Sequence, residues 1–200
     1  MAPDPYARLY RGMLPFHNSF RTHLSSIQRL LSTLPPPPSP PPTSTTTTTT
    51  TEPRTATPTT TTTTKTSLEA SMLPTVTSIL QTSLTLCHHL HVHHSIEEHH
   101  IFPRLAAKMP QFGQHDQHVR EHAQMTRHVD ALERYCTLAL RELRKGKGAA
   151  GAFEVQQMRI LVGALEDTLL PHLQEEEESL KAENLKRAGF DVSEISRIPL

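Results

Sequence analysis

The 200-residue sequence predicts an all-α protein: an antiparallel up-down-up-down four-helix bundle with a disordered Pro/Thr-rich insertion between its first and second helices. Three observations predict it. Apolar residues recur at helical spacing in four segments, Gly and Pro fall between the later ones, and one stretch is almost entirely Pro and Thr. The length suits one domain spanning residues 1–200, and the 36% hydrophobic content provides a modest core.

The first helix is predicted from about Gly12 to Leu34, where Phe16, Phe20, Leu24, Ile27 and Leu31 follow the helical period. Residues 35–66 offer almost no apolar surface to offset the entropy of ordering, which predicts a disordered insertion. The cost to the fold is small, because loop-closure entropy grows only logarithmically with length. A second helix is predicted from about Leu68 to Lys108, stopped by Pro110 and Gly113. The third runs from about Gln114 to Lys145, the stretch GKGAAG makes a turn, and the fourth runs from about Ala152 to Lys186. In the tail, residues 188–200, the run Asp191, Val192, Ser193, Glu194 can start one more short helix.

Composition excludes several function classes. Twenty basic residues balance twenty acidic ones, so no electrostatic field calls for nucleic acid or an anionic membrane. Trp is absent and aromatic residues are few, which argues against a base-stacking surface. Cys87 and Cys136 are far apart in apolar helical pattern and make no disulfide framework, which suits a reducing compartment. The first residues show no signal-peptide pattern and no stretch reaches membrane-span length, so a cytoplasmic protein is expected.

Helical phase singles out the candidate site. At about 100° per residue, Val76, Leu80, Cys87, Leu90, His94, Glu98, Ile101 and Leu105 share one line along the second helix. His94 and Glu98 therefore interrupt an apolar stripe. His88, His89, His99 and His100 face water by the same rotation, His91 lies at the margin, and the overlapping pair His93 and Glu97 falls to the polar side. The third helix aligns His118 and His122 with Met125, Val129, Leu132, Cys136, Leu140 and Leu143. The fourth aligns Met158, Leu161, Leu165 and Leu169 with His172 and Glu176, and the first aligns Met13, Phe20, Leu24 and Leu31 with His17, leaving His23 turned away.

In an antiparallel bundle, positions early in helices one and three lie level with positions late in helices two and four. His17, His118 and His122 come early; His94, Glu98, His172 and Glu176 come late. Seven polar side chains thus converge at one end of the core, a destabilising arrangement unless something binds them. Five imidazoles and two carboxylates exceed what one tetrahedral zinc needs and include no thiolate, so two ions are implied, with iron favoured over zinc or another divalent metal. If Glu98 and Glu176 bridge, they can hold both ions in the core. Pro171, directly before His172, removes a backbone donor and predicts a kink beside the site. Glu97, Glu175, Glu177 and Glu178 receive no role, because a run of acids on a last helix is usually solvated.

The segments HHSIEEHHIFPRL and HLQEEEESL resemble the second- and fourth-helix signatures of the hemerythrin-like (HHE cation-binding) domains. FHNSFR at residues 16–21 and HVREHAQM at 118–125 are similar to the other two, in order and spacing. The resemblance implies a non-heme di-iron centre in which His118, His122 and His172 serve one iron and His17 and His94 the other, with Glu98 and Glu176 bridging. Oxygen carriers of this family place an aspartate five positions after the last-helix histidine. Here Glu176 follows His172 by four, and this departure together with the long insertion sets reversible oxygen carriage apart from metal binding.

The leading functional expectation is a binding or sensing protein whose two iron ions meet a small molecule such as dioxygen, nitric oxide or peroxide, or report cellular iron. The alternatives are a di-iron oxidase or ferroxidase and a metal-stabilised interaction module with a protein partner still to be identified. Ferritin-like sites use paired Glu-x-x-His motifs. Only Glu97 and His100 have that spacing among the candidates, off the stripe, which weighs against an enzyme. No nucleophile–base pair or phosphate loop suggests a second active site.

Overall fold

The computed structural model describes residues 4–35 and 61–200, the side chains of 61–70 excepted. Most of the insertion predicted over 35–66 lies outside the described residues. At its far end, however, Thr61 to Thr66 already belong to a helix.

All regular structure among the described residues is helical. Four long helices carry the framework: α1 (Arg8–Ser32), α2 (Thr61–Ile96), α4 (Gln117–Arg144) and α6 (Val155–Ser179). Short helices join or follow them: α3 (Phe102–Leu105), α5 (Ala149–Ala152), α7 (Ala182–Arg187) and α8 (Val192–Arg197). α1 packs on α2 and α6, and α4 packs on the same two. Cross-contacts give the relative directions. Along α1, His17 meets Glu177, Gln28 meets Glu166, and the Leu31 carbonyl accepts from Arg159, so α1 ascends as α6 descends. His122 lies against His172 and Tyr135 against Glu154, which opposes α4 to α6 in the same way.

The first helix starts at Arg8, earlier than predicted, behind a short 3-10 turn that Asp4 caps through the Tyr6 N–H. The predicted second helix is interrupted. α2 gives way at Glu97–Ile101 to a π-helical turn, in which the Phe102 N–H bonds the Glu97 carbonyl five residues back, and then to α3. Pro103 supplies a local reason: without an N–H it cannot satisfy the His99 carbonyl in the α pattern. The predicted fourth helix is also divided, ending at Ser179 before α7 begins, and the Asn184 side chain donates to the Glu178 carbonyl at 2.7 Å across the break. The short helix expected in the tail forms, with Asp191 and Glu194 making a reciprocal capping box.

Two apolar clusters result. One fills the length of the bundle, from Phe20 and Leu90 to Leu31, Ala139 and Met158. The other closes one end: Leu9 and Met13 from α1, Phe102 and Leu105 from α3, Phe112, and Leu185, Phe190, Ile195 and Ile198 from the tail. Arg8 pins the tail by donating to the Ile198 carbonyl at 2.7 Å and the Ile195 carbonyl at 3.3 Å, while the Tyr6 hydroxyl donates to the Phe190 carbonyl. Gly189, at φ +82° after α7, makes the left-handed turn that brings Phe190 back onto this cluster.

The tail is thus part of the core. Ile195→Ala, at a side chain 1% exposed, is expected to cost about 2–5 kcal/mol, measured as a lower midpoint in urea unfolding with unchanged slope.

Candidate metal centre

Between the two apolar clusters lies a polar layer. Buried in it are His17 from α1, His93 and His94 from α2, Glu97 from the π-turn, His118 and His122 from α4, and His172 and Glu176 from α6. Of the predicted residues, His17, His94, His118, His122, His172 and Glu176 are all brought here. Glu98 is not among them: its side chain is 35% exposed and stands outside the layer against His122.

Glu97 takes the inward place expected of Glu98, and His93 joins it. The physical reason is the π-turn. The predicted line was drawn through Ile101 and Leu105, which lie beyond a turn that contains an extra residue and resets the helical phase. Before that turn the buried line runs through Ser83, Leu90 and Glu97, and passes between His93 and His94, burying both. The same drift toward a shorter period buries Ala139 and Val162, where Leu140 and Leu161 were expected.

The two buried carboxylates lie between imidazoles of different helices. Glu97 approaches His93 Nε2 at 3.0 Å through Oε1 and His122 Nε2 at 3.5 Å through Oε2. Glu176 Oε2 is 3.4 Å from His17 Nε2 and 3.7 Å from His172 Nε2. Ligand atoms of His17, His93, Glu97 and Glu176 all lie within 4.8 Å of one another, as do those of His94, His122 and His172. His118 forms a third such group with Glu121 and His172. His94 is stacked on His122, with centroids 3.9 Å apart and planes 15° apart.

A second ring of carboxylates orients the imidazoles from outside. His17 Nδ1 meets Glu177 Oε1 at 2.9 Å, His122 Nδ1 meets Glu98 Oε1 at 2.8 Å, and His172 Nδ1 meets Glu121 Oε2 at 2.8 Å. Arg21 holds Glu177 in turn at 2.7 Å. The His122 bond lowers the Glu98 pKa, and the His172 bond lowers that of Glu121, so both are ionised and can only accept. Nδ1 must therefore carry the proton in His122 and His172, and each Nε2 presents a bare lone pair inward in the neutral ring. Those two Nε2 atoms are 3.1 Å apart. Two lone pairs facing one another at that distance repel unless a proton or a metal ion lies between them.

Other atoms show the same deficit. His17 Nε2, His93 Nε2, His94 Nε2, His118 Nδ1 and the carboxylate oxygens of Glu97 and Glu176 are buried and make no hydrogen bond. Burial, and then the negative Glu176 beside it, push the Glu97 carboxyl well above the usual range. Burial acts on Glu176 in the same direction, but the His17 imidazole beside it more than offsets that and holds the carboxyl below the usual range. Burial drives His93 down to about 3 and lowers His94, His118 and His122, keeping neutral the form in which imidazole is a ligand. The donor set therefore fits metal ions: neutral imidazole nitrogens and buried carboxylates aimed inward, with hydrogen bonds fixing their outer sides.

Aromatic packing fixes the remaining rings. Phe112 stacks on His118 at 4.5 Å, Phe102 lies 5.2 Å from His122, and Phe20 lies 5.1 Å from His93. Glu121 and Glu177 carried no recognisable sequence signal, one adjoining His122 and the other inside an acidic run. His93 and Glu97 did carry one, since they share the four-residue spacing of His94 and Glu98.

Without metal, these pKa shifts fix the pH dependence of stability. His93, His94, His118 and His122 titrate lower in the folded chain than in the unfolded one, so below about pH 6.5 the unfolded state binds more protons and stability falls. Raised Glu97 opposes this with one proton, leaving the histidines dominant. Metal-free protein is expected to lose on the order of 1.4 kcal/mol per pH unit for each net proton taken up between pH 6.5 and 5, measured by urea unfolding across that range.

No curated protein and no solved structure matches the chain. The family model described as the hemerythrin HHE cation binding domain matches residues 62–183, a span that holds every residue of the layer except His17. With more than half of its length matched and a cation-fitting donor set in its core, the chain belongs to the hemerythrin HHE cation-binding domain family.

Proposed function

We propose that the chain is a cytoplasmic di-iron protein that binds or senses a small molecule such as dioxygen, nitric oxide or peroxide, or reports iron itself. The observation that carries the metal reading is the His122–His172 pair, whose inward Nε2 atoms face each other at 3.1 Å with both outer nitrogens committed to carboxylates. The pairwise helix directions support an antiparallel up-down-up-down arrangement as the frame that brings four helices to one level.

His17 and His93 would hold one ion and His122 and His172 the other, with Glu97 and Glu176 placed between the two groups. His118 stands behind His172, and His94 over His122, as further imidazoles for the second ion. Two ions are favoured over one because eight buried donors exceed the needs of a single centre. Iron is favoured by the mixture of imidazole and carboxylate without thiolate. Bound iron would supply redox chemistry and, at the ion with fewer imidazoles, a position for a small ligand. Phe20 packs on His93 at that ion, while Phe102 and Phe112 pack on His122 and His118 at the other.

An enzyme of the ferritin-like type has less support. His100 of the Glu97–His100 pair is exposed, so that motif does not reach the layer as a unit.

Metal analysis by plasma mass spectrometry, with optical spectra before and after anaerobic reduction, tests the reading: about two irons per chain with an oxygen-dependent band supports it, and zinc or a metal-free folded chain overturns it. Variants separate the inner acids from the outer ones. Glu97→Ala and Glu176→Ala are expected to abolish stoichiometric metal. Glu98→Ala is expected to keep both ions and weaken affinity by about 10- to 100-fold, the scale for removing a hydrogen bond to a ligand.

A further inference from the structure

Three of the four seams around the polar layer are closed by a carboxylate on an imidazole. Glu98 reaches His122 between α2 and α4, Glu121 reaches His172 between α4 and α6, and Glu177 reaches His17 between α6 and α1. Helix α1 contains no Asp or Glu, so the α1–α2 seam lacks that link. Phe16 and Phe20 lie against His93 there instead, with centroids at 5.8 and 5.1 Å.

A groove of about 380 Å³ opens along this seam. Its walls are Phe16, Val92, Ile96 and Leu200, which are 51%, 45%, 44% and 48% exposed. Half of the large apolar side chains that the described residues leave exposed are therefore gathered at one place, as expected of a binding surface rather than of scattered exposure. His93 lies in its floor beside Met13, Phe20 and Ile101, and the exposed imidazoles of His88 and His89 line it further back along α2. From His88 to Ile96 the groove follows nine residues of helix, about 12 Å.

We propose that this groove binds a medium-chain carboxylate, its chain against Phe16, Val92, Ile96 and Leu200 and its head group on the imidazole N–H donors of His88 and His89. The volume lies within the roughly 300–1,000 Å³ of small-molecule pockets, and the lining is of the same kind: apolar, with a few polar groups at one end. Imidazole donates a hydrogen bond to a carboxylate whether neutral or charged. The bound chain crosses His93, on the side of the layer where His17 and Glu176 lie, so occupancy would be felt at the candidate metal centre while the binding itself does not rest on it.

Calorimetric titration of the full chain with decanoate, and with decanol as its uncharged counterpart, tests the proposal. Saturable one-to-one binding of decanoate is expected, weakened at least tenfold by Val92→Glu or by Ile96→Glu, both at exposed positions that leave the core intact. The double variant His88→Ala, His89→Ala is expected to weaken decanoate at least tenfold and decanol by a smaller factor, since a charged acceptor gains more from the imidazole donors. Absence of saturable binding below the micelle concentration overturns the proposal, as does binding indifferent to both Glu variants. A dimer in light scattering that Val92→Glu dissolves also overturns it, and gives the groove to a second copy of the chain. Metal content of the same samples keeps the two readings apart: decanoate binding to a chain that takes up no metal sinks the metal centre and leaves the groove, and metal without decanoate binding does the reverse.

Discussion

The structure depends on a single constraint: six imidazoles and two carboxylates are buried in one layer, and the protein alone does not satisfy them. Burying polar groups without partners costs several kcal/mol in total, comparable with the whole stability of a domain this size. The apolar material is arranged to bear that cost. The long cluster running from Phe20 to Leu31 and its partners grips the bundle on one side of the layer, and the cluster of Leu9, Phe102, Leu105 and the tail residues closes the other. The tail is therefore a wall of the site. Without Leu185, Phe190, Ile195 and Ile198, the second cluster would open toward Phe102 and Phe112, the rings that orient His118 and His122.

The doubled acids in the sequence have a physical explanation in this arrangement. Glu97 and Glu98 are neighbours, yet one points into the layer and the other lies outside against the next helix's imidazole. Glu176 and Glu177 divide the same two tasks, with Glu177 on His17. On α4 the neighbours are Glu121 and His122, acid outward and imidazole inward. Adjacent helical residues are about 100° apart, so a residue pair at the edge of a buried stripe supplies one inward donor and one group for the neighbouring seam. Three of the four seams are thus tied by an acid of one helix on an imidazole of the next, from α2 to α4 to α6 to α1. The polar layer is tied together by interhelical hydrogen bonds as well as by apolar packing.

This division explains what the sequence could and could not reveal. Helical periodicity found the four long helices, and the antiparallel level argument put His17, His94, His118, His122, His172 and Glu176 at one level, because those residues lie in uninterrupted α-helix. The choice of His94 and Glu98 over His93 and Glu97 met a local obstacle: both histidines are buried in the layer, and Glu97 rather than Glu98 points inward. Both pairs have the same spacing, and only the π-turn at Glu97–Ile101 decides which acid points inward; a constant rotation per residue carries no information about such a turn. Pro103 was the available clue, since a proline five residues past the candidate ligand Glu98 disrupts the hydrogen-bond ladder on which the projection relies. The outer acids Glu121 and Glu177 were illegible for a different reason: their role is defined by a partner on another helix, and no intrahelical period encodes that distance.

The π-turn also has a consequence for the chemistry of the layer. Ahead of the turn α2 is regular, and its buried line runs through Leu90 to Glu97. Here the line passes between the two histidines, so His93 faces the His17–Glu176 side and His94 stacks on His122. Beyond Glu97 the extra residue returns the apolar Ile101, Phe102 and Leu105 to the core. One helix therefore supplies an imidazole to each half of the layer and still closes the apolar end beneath it. Such turns occur often at functional sites, and here the turn reconciles the register of the ligands with that of the core that follows.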